Sequence, residues 1–230
     1  MVSILMPVYN ETATVERAVE RVVEADFPFE WELIVVDDGS TDGTSEILAL
    51  AAKKSERITL ISHDRNQGKG TAVRTALAEA VGEVSTILDA DLEYDPTDIP
   101  ALIAPLIDGR SNVSFGVRAF DGYSSHSYLY VLGNRAVTLA ANIAFNVYLK
   151  DVMTCHKAMR TDLFRSLPLQ EPGFAIEPEI AARAIQRGER IVEVPVSYFA
   201  RPTEEGKKLK AADGVRAVRT VVRCRLSPRA

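Results

Sequence analysis

The sequence predicts an α/β protein built on a mostly parallel sheet with helices on both faces. In the first half of the 230-residue chain, strands of uninterrupted apolar residues alternate with amphipathic helices, and the connections are short. Strands that are apolar throughout are typical of parallel sheets buried on both faces. The hydrophobic content of 47% and the charged content of 26% are those of a globular protein large enough to form a core.

Hydrophobic spacing places the individual elements. Apolar, β-branched runs predict strands over 2–7, 32–36, 57–62, 84–88, 112–117 and 190–198. In the first helix Val15, Val19 and Val22 recur at helical spacing, and similar patterns predict helices over 12–24, 41–54, 70–80 and 176–187. Segment 128–149 is apolar but contains Asn134, Arg135, Asn142 and Asn146, which predicts an amphipathic helix rather than a membrane span.

The charge distribution and the cysteine content indicate which partners and which cellular compartment to expect. Residues 201–230 carry nine Lys and Arg against three acids, although the whole chain has a net charge of −5. A basic tail without interleaved aromatics favours a phosphate group or a membrane surface over nucleic acid. Cys155 and Cys224 lie far apart, which excludes a cysteine cluster and predicts a reducing compartment. The chain opens directly on a strand, so we expect no secretory leader.

Polar motifs follow the first four predicted strands. They are Pro-Val-Tyr-Asn-Glu (7–11), Asp-Asp-Gly-Ser-Thr-Asp-Gly-Thr (37–44), Asn-Gln-Gly-Lys-Gly (66–70) and Asp-Ala-Asp-Leu-Glu (89–93). Ligands of such sheets bind at the carboxyl ends of the strands, so the four loops predict one site. In the acidic run, Asp89, Asp91 and Glu93 alternate along the chain and are expected to converge on Mg²⁺ or Mn²⁺.

In order and spacing, these motifs resemble those of the inverting family 2 glycosyltransferases, which have the GT-A fold. Within that family the sequence resembles the polyprenyl-phosphate branch, which includes dolichol-phosphate mannose and glucose synthases. Further matches are Glu-Val-Pro-Val-Ser-Tyr (193–198), Arg201 and Glu-Gly-Lys-Lys (205–208). The resemblance implies a single GT-A domain over 1–230, with a nucleotide-sugar half (1–120), an acceptor half (121–200) and a basic tail (201–230).

The resemblance also implies roles for particular residues. Those expected to bind the nucleotide sugar are Pro7, Tyr9, Glu11, Val36, Asp38, Lys69, Asp89, Ala90, Arg201 and Lys207. Asp89, Asp91 and Glu93 would hold the metal, and Arg118 and Arg135 would bind the acceptor phosphate. Asp91 and Arg118 are the expected catalytic residues, whereas Asp37 is expected to brace its loop.

The implied reaction is transfer of a hexose from a GDP- or UDP-linked sugar to polyprenyl phosphate. A lipid phosphate is already anionic, so it needs cations to hold it rather than a general base. We expect a cytoplasmic enzyme held on the inner face of the membrane by segment 128–149 and the basic tail. Arg216, Arg219 and Arg223 form either a solvated face or a contact with anionic lipid. Mannose synthases commonly have Gln where this chain has Glu93, so the sugar stays open.

Two other interpretations remain. A soluble family 2 transferase acting on a saccharide or small alcohol would need a base, for which Asp151, Glu177 and His156 are the candidates. A nucleotidyltransferase or a non-catalytic sugar-nucleotide binding module is the other class. A nucleotidyltransferase would carry a glycine-rich loop with Arg and Lys after the first strand, where this chain has 7–11 instead.

Overall fold

The computed structural model describes residues 1–119, 128–200 and 211–227, which form one seven-stranded sheet flanked by helices. The strands are β1 (Val2–Val8), β2 (Trp31–Asp37), β3 (Ile58–Ser62), β4 (Val84–Ile87), β5 (Val113–Ala119), β6 (Lys157–Arg160) and β7 (Ile191–Ser197). Their order is β3-β2-β1-β4-β6-β5-β7, and β6 alone among them runs antiparallel to its neighbours β4 and β5. The predicted mostly parallel α/β architecture is confirmed.

Helices cover both faces of this sheet, and each face has its own apolar core. The helices are α1 (Val15–Glu24), α2 (Thr44–Lys53), α3 (Lys69–Glu79), α4 (Ile99–Ile107), α5 (Tyr128–Phe145), α6 (Thr161–Ser166), α7 (Ile176–Gln186) and α8 (Ala211–Leu226). Leu5 and Ile34 face the core beneath α3 and α7, whereas Ile4 and Leu33 face the core beneath α1 and α4. This alternation follows from the period of two along a strand.

Four features differ from the sequence-based expectation. The strand β6 and the helices α4 and α6 were not predicted, because β6 and α6 have only four and six residues and α4 contains Pro105. Helix α5 ends at Phe145 rather than at residue 149, since Asn146 adopts a left-handed conformation with φ 52°. The Asn142 amide then bonds both backbone groups of Leu149 and closes the turn that follows. Within the described ranges, no helix is long and apolar enough to cross a membrane.

Candidate active site

A cavity of about 490 Å³ lies at the carboxyl ends of the central strands. The residues predicted from sequence that line it are Pro7, Tyr9, Glu11, Asp38, Lys69, Asp89, Ala90, Asp91, Glu93 and Arg118. Pro7 and Arg118 lie at the carboxyl ends of β1 and β5, Lys69 is the first residue of α3, and the loops after β1, β2 and β4 supply the others. The topology therefore brings together side chains that are up to 111 positions apart in the chain.

Hydrogen bonds join the loops after β1 and β2 at one side of the cavity. Asn10 N donates to Ser40 Oγ at 2.9 Å, and Glu11 N donates to Thr44 Oγ1 at 2.9 Å. Asp37 accepts from Ser40 N at 3.0 Å and from the Ser45 hydroxyl, so it braces its loop as predicted. The polar residues of the 37–44 motif thus serve mainly to join the two loops.

Two glycines of the motifs are required by close backbone contacts. Gly39 has φ 73°, and a Cβ there would lie 2.5 Å from the carbonyl carbon of Arg65. A Cβ on Gly70 would overlap the carbonyl oxygen of Glu171. The segment after Glu171 packs directly on the start of α3, where Thr71 N donates to Pro172 O at 3.2 Å. Gly70 is therefore a packing residue at the edge of the cavity.

Asp38 is buried and held by three protein donors. His63 Nδ1 lies 2.6 Å from Oδ1, Gln67 N donates to Oδ1 at 2.9 Å, and Gly68 N donates to Oδ2 at 2.7 Å. A carboxylate has about four acceptor positions, so about one remains for a ligand hydroxyl or base N–H. His63, which the sequence analysis did not single out, is in turn held by Thr75 Oγ1 at 3.0 Å.

The acidic run does not form the three-carboxylate cluster that its spacing predicted. Among the described residues, no three His, Cys, Asp or Glu side chains lie close enough together to hold a metal ion. Glu93 accepts a hydrogen bond from the Tyr198 hydroxyl at 2.7 Å, and its carbonyl accepts from Phe199 N at 2.8 Å. The expected cluster of Asp89, Asp91 and Glu93 is therefore not formed, and Glu93 joins the acidic run to the end of β7.

Asp89 and Asp91 still fit a divalent cation. Asp89 Oδ1 is buried and accepts no hydrogen bond from any described residue. An unsatisfied buried carboxylate oxygen is costly, and hard cations such as Mg²⁺ take oxygen ligands. Asp91 lines the same cavity two residues further along. A cation held by one or two carboxylates usually completes its shell with substrate phosphates and water.

Lys69 is the centre of a buried group of alternating charges. Its Nζ donates to Asp89 Oδ2 at 2.7 Å and lies 3.0 Å from Glu177 Oε1, a charge contact outside hydrogen-bond geometry. Glu177 Oε2 in turn accepts from Lys157 Nζ at 2.8 Å. Burial opposes the charge on Lys69, but Asp89 and Glu177 outweigh it and raise the pKa of Lys69 well above its usual value.

Arg118, which also lines the cavity, is held by Asp151. Its Nε and NH2 donate to the two carboxylate oxygens of Asp151 at 2.6 and 2.8 Å. The guanidinium also stacks over the Tyr198 ring at 5.1 Å. The two side chains are only 9% and 11% exposed, so this bidentate pair fixes the guanidinium in one orientation. Burial opposes its charge, but Tyr94 and Asp151 raise the pKa of Arg118.

Several predicted site residues lie elsewhere. Val36 is fully buried in the core and is not among the residues that line the cavity. Arg135 lies on the exposed face of α5, and its neighbour Asn134 lines the cavity instead, since one residue rotates a helix by about 100°. Arg201 and Lys207 lie outside the described residues.

The arginines of α8 mostly serve to dock that helix. Arg216 Nε donates to Glu171 Oε2 at 2.9 Å, and Arg223 NH2 lies 2.8 Å from Glu171 Oε1 and 3.0 Å from Glu179 Oε1. The buried Glu171 thereby holds two arginines, whereas Arg219 is exposed. Arg216 and Arg223 are thus paired with buried acids rather than forming a purely solvated row.

The three candidate bases are all engaged or shielded. Asp151 is paired with Arg118, and Glu177 is paired with Lys69 and Lys157. Burial opposes the charge on Glu177, but Lys157 and Lys69 outweigh it and lower the pKa of Glu177. His156 is fully buried, does not line the cavity and stacks on Tyr94 at 5.3 Å; burial lowers its pKa to about 4.

The cavity also includes residues that the sequence analysis did not assign. The main ones are Asn66, Tyr94, Asn134, Met153, Cys155, Phe174 and Tyr198. Tyr94 directly follows the acidic run, and its ring lies 5.2 Å from that of Tyr198. The only sequence signal for Tyr94 as a cavity residue was its position after this motif. That signal is weak, because an aromatic residue in such a place is equally common in a hydrophobic core. Asn66 and Tyr198 lie in motifs quoted from the sequence without a role, whereas the others come from segments whose approach to the cavity depends on the fold.

Comparison with known proteins identifies the family of this site. A family model described as glycosyl transferase family 2 matches residues 3–167. The chain belongs to glycosyl transferase family 2. It is 31% identical to the glycosyltransferase AglJ of Haloferax volcanii over 87% of this chain and 64% of AglJ. It is 29% identical to the dolichol-phosphate mannosyltransferase of Pyrococcus furiosus over 90% of this chain and 58% of that protein. The chain thus spans about three fifths of the length of these two relatives.

Solved structures agree with the fold assignment. Glucosyl-3-phosphoglycerate synthase from Mycobacterium tuberculosis, in complex with UDP, matches with a TM-score of 0.77 at 21% identity, covering 99% of this chain and 81% of that one. The same enzyme in complex with Mn²⁺, UDP-glucose and phosphoglyceric acid matches with a TM-score of 0.76 at 22% identity, over 99% and 80% of the two chains. The GT-A fold and the glycosyltransferase class predicted from sequence are confirmed.

Proposed function

We propose that this glycosyltransferase moves a hexose from a UDP- or GDP-linked sugar to a polyprenyl phosphate, with Mg²⁺ or Mn²⁺ as cofactor. The observation that carries the proposal is a fixed guanidinium, Arg118, in the same cavity as Asp89 and Asp91. In this proposal residues 1–120 hold the nucleotide sugar and 121–200 hold the acceptor. Arg201 and Lys207, from the basic tail (201–230), bind the nucleotide sugar in this proposal.

On the donor side, Tyr9, Glu11 and Asp38 contact the base and ribose, and Asp89 and Asp91 hold the cation. When bound, the cation stabilises negative charge on the departing nucleoside diphosphate as a Lewis acid. The remaining acceptor position of Asp38 suits a ribose hydroxyl or a base N–H. Lys69 places a further positive charge beside Asp89, where the diphosphate would lie.

On the acceptor side, Arg118 binds the lipid phosphate. A guanidinium has five N–H donors, and Asp151 uses two of them, so three remain for phosphate oxygens. A phosphate oxygen attacks the anomeric carbon, and the bond from that carbon to the diphosphate oxygen breaks. The electron pair leaves with the nucleoside diphosphate, and the anomeric configuration inverts. This nucleophile needs no base, in keeping with the engagement of Asp151 and Glu177.

Relatives support a lipid phosphate as the acceptor. Besides the P. furiosus mannosyltransferase, undecaprenyl-phosphate 4-deoxy-4-formamido-L-arabinose transferase of Pectobacterium carotovorum is 40% identical over 105 residues, which is 44% of this chain and 32% of that protein. The names of these two relatives contain dolichol phosphate and undecaprenyl phosphate, which are both lipid phosphates. The proposed acceptor is therefore of the same chemical class.

An exposed apolar row on α5 supports peripheral binding at the cytoplasmic face of a membrane. Tyr128, Leu132, Leu139 and Ile143 lie four, seven and four positions apart, on one face of the helix, and all are exposed. Amphipathic helices of this kind insert their apolar face into the headgroup region. Co-sedimentation with anionic vesicles tests this: Ile143→Glu is expected to reduce binding, whereas Leu50→Glu, at an exposed position on α2, is not. Equal binding by the two variants would contradict the membrane role.

The central experiment is a transfer assay with the whole chain. UDP- and GDP-hexoses are offered with polyprenyl phosphate, polyprenol or 3-phosphoglycerate, each with Mn²⁺, with Mg²⁺ or with EDTA. We expect a lipid-linked sugar only with polyprenyl phosphate and a metal. Transfer to polyprenol at the same rate would show that the phosphate is not required, and full activity in EDTA would refute the metal. Preferential use of 3-phosphoglycerate would favour the soluble-acceptor alternative.

A further inference from the structure

The group of alternating charges at the base of the cavity extends beyond the residues that contact the donor. Asp89, Lys69, Glu177 and Lys157 follow one another at 2.7, 3.0 and 2.8 Å. They come from the end of β4, the start of α3, the first turn of α7 and the start of β6. Glu177 and Lys157 are each 1% exposed, so neither is a solvated surface charge.

Asp89 has one engaged and one unengaged oxygen. Lys69 Nζ takes Oδ2, whereas Oδ1 is buried without a partner among the described residues. An ammonium is a compact charge on a flexible stem and does not by itself select one carboxylate oxygen. The second acid, Glu177, lies on the other side of the ammonium and limits where Nζ can go.

Lys157 holds Glu177 in turn, and it is itself anchored. Its Nζ donates to the carbonyl oxygens of Val152, at 3.2 Å, and Thr154, and it lies 4.9 Å from the centre of the Phe115 ring. With Glu177 these contacts use all three N–H donors of the ammonium. The loop it holds, 151–155, carries Asp151, the partner of Arg118. The charge group thus connects the two sides of the cavity.

We propose that Glu177, supported by Lys157, is a positioning residue for the cation and diphosphate of the donor. It keeps Lys69 on Asp89 Oδ2 and so leaves Oδ1 as the ligand that the cation takes. This inference rests on the proposed metal-dependent donor binding, and it assigns to Glu177 a role other than that of a catalytic base.

The test compares two neighbouring buried acids of α7. Glu177→Gln removes the charge that holds Lys69. Glu179→Gln is the matched control, because Glu179 is equally buried, two residues further along, and pairs with Arg223 and the 170–171 backbone instead. Binding of UDP and GDP is measured by titration calorimetry with and without Mn²⁺, in the absence of any acceptor. The readout is the factor by which Mn²⁺ strengthens nucleotide binding, which requires no turnover.

We expect this factor to fall about tenfold or more in Glu177→Gln and to stay within twofold in Glu179→Gln, because residues that orient a metal ligand typically affect metal affinity 10–100-fold. An unchanged factor in Glu177→Gln, or equal losses in both variants, would overturn the positioning role. If the wild-type protein shows no gain with Mn²⁺, the proposed metal-dependent function itself fails.

A second variant covers the case in which Glu177→Gln does not fold. Glu177→Gln combined with Lys157→Met removes one acid and one base, so the remaining pair, Lys69 and Asp89, stays balanced. We expect the same loss of Mn²⁺ dependence as in the single variant, because Lys69 again lacks its second partner. A normal Mn²⁺ factor in the folded double variant, judged by circular dichroism, would overturn the proposal.

Discussion

Replacing Asp151 by Ala provides the sharpest test of how the acceptor side of the cavity is held. The change leaves the Arg118 guanidinium without either of its two charge-assisted hydrogen bonds, at 2.6 and 2.8 Å. The side chains are 9% and 11% exposed, so water cannot fully replace the lost carboxylate. Removing one partner of a buried ion pair costs about 3–5 kcal/mol, because the other charge stays buried and unpaired.

We take the lower end of that range, about 3 kcal/mol, because Arg118 borders an open cavity. For a protein of this size each kcal/mol lowers the melting temperature by about 2–4 °C, so a decrease of about 6–12 °C is expected. The matched control is Asp108→Ala, which removes the partner of Arg110 at 3.0 Å on the surface. That pair is 55–60% exposed, and such pairs contribute about 0–1 kcal/mol.

Thermal unfolding followed by circular dichroism measures both variants. The same proteins are assayed for transfer, where Asp151→Ala is expected to raise the KM for polyprenyl phosphate about tenfold or more. Nucleoside diphosphate binding is expected to stay within twofold, because Asp151 pairs with Arg118, which in the proposed function binds the acceptor. If Asp151→Ala melts within about 2 °C of Asp108→Ala, Arg118 is not held by a buried pair and the reasoning is wrong.

Three further predictions follow from the same geometry. Asp91→Ala is expected to lower transfer by about a hundredfold or more through loss of a metal ligand, with an unchanged melting temperature; near-normal turnover would contradict this. His156 has a pKa lowered to about 4 in the folded protein, so the unfolded chain takes up a proton first as the pH falls below about 6.5. By pH 5 this costs about 2 kcal/mol, and His156→Phe should lose less stability between pH 7 and 5 than wild type; parallel losses would refute it. Gly70→Ala is expected to destabilise by about 1–3 kcal/mol in urea unfolding, because its Cβ would overlap the Glu171 carbonyl; a wild-type midpoint would exclude that clash.

Much of the fold was accessible from the sequence because its elements follow local periodicity. The strands of the first half are apolar runs, and helix α1 repeats valine at helical spacing. The loops at the carboxyl ends of β1, β2 and β4 were located for the same reason. The strand β6 was missed because its four residues, with charged ends, carry no periodic signal. Its place is decided by pairing with β4 and β5, far away in the sequence.

The candidate site was likewise predictable from the sequence only in part. The sequence identified which loops meet, but alternation along the acidic run did not give a three-carboxylate cluster of Asp89, Asp91 and Glu93 among the described residues. The structure turns Glu93 towards Tyr198, 105 positions away. On α5, Asn134 lines the cavity, whereas the next residue, Arg135, is exposed. The sequence does not reveal this difference, because it does not show which face of α5 packs against the rest of the protein.

By itself, the sequence determined the α/β class, the family, and the loops that line the donor side, because these depend on short-range patterns of apolar and polar residues. Only the tertiary structure decided which charges are paired: Asp151 with Arg118, and Glu177 with Lys69 and Lys157. The physical reason is distance. Ion pairs form within about 4 Å, and the fold alone brings side chains from different strands and helices that close.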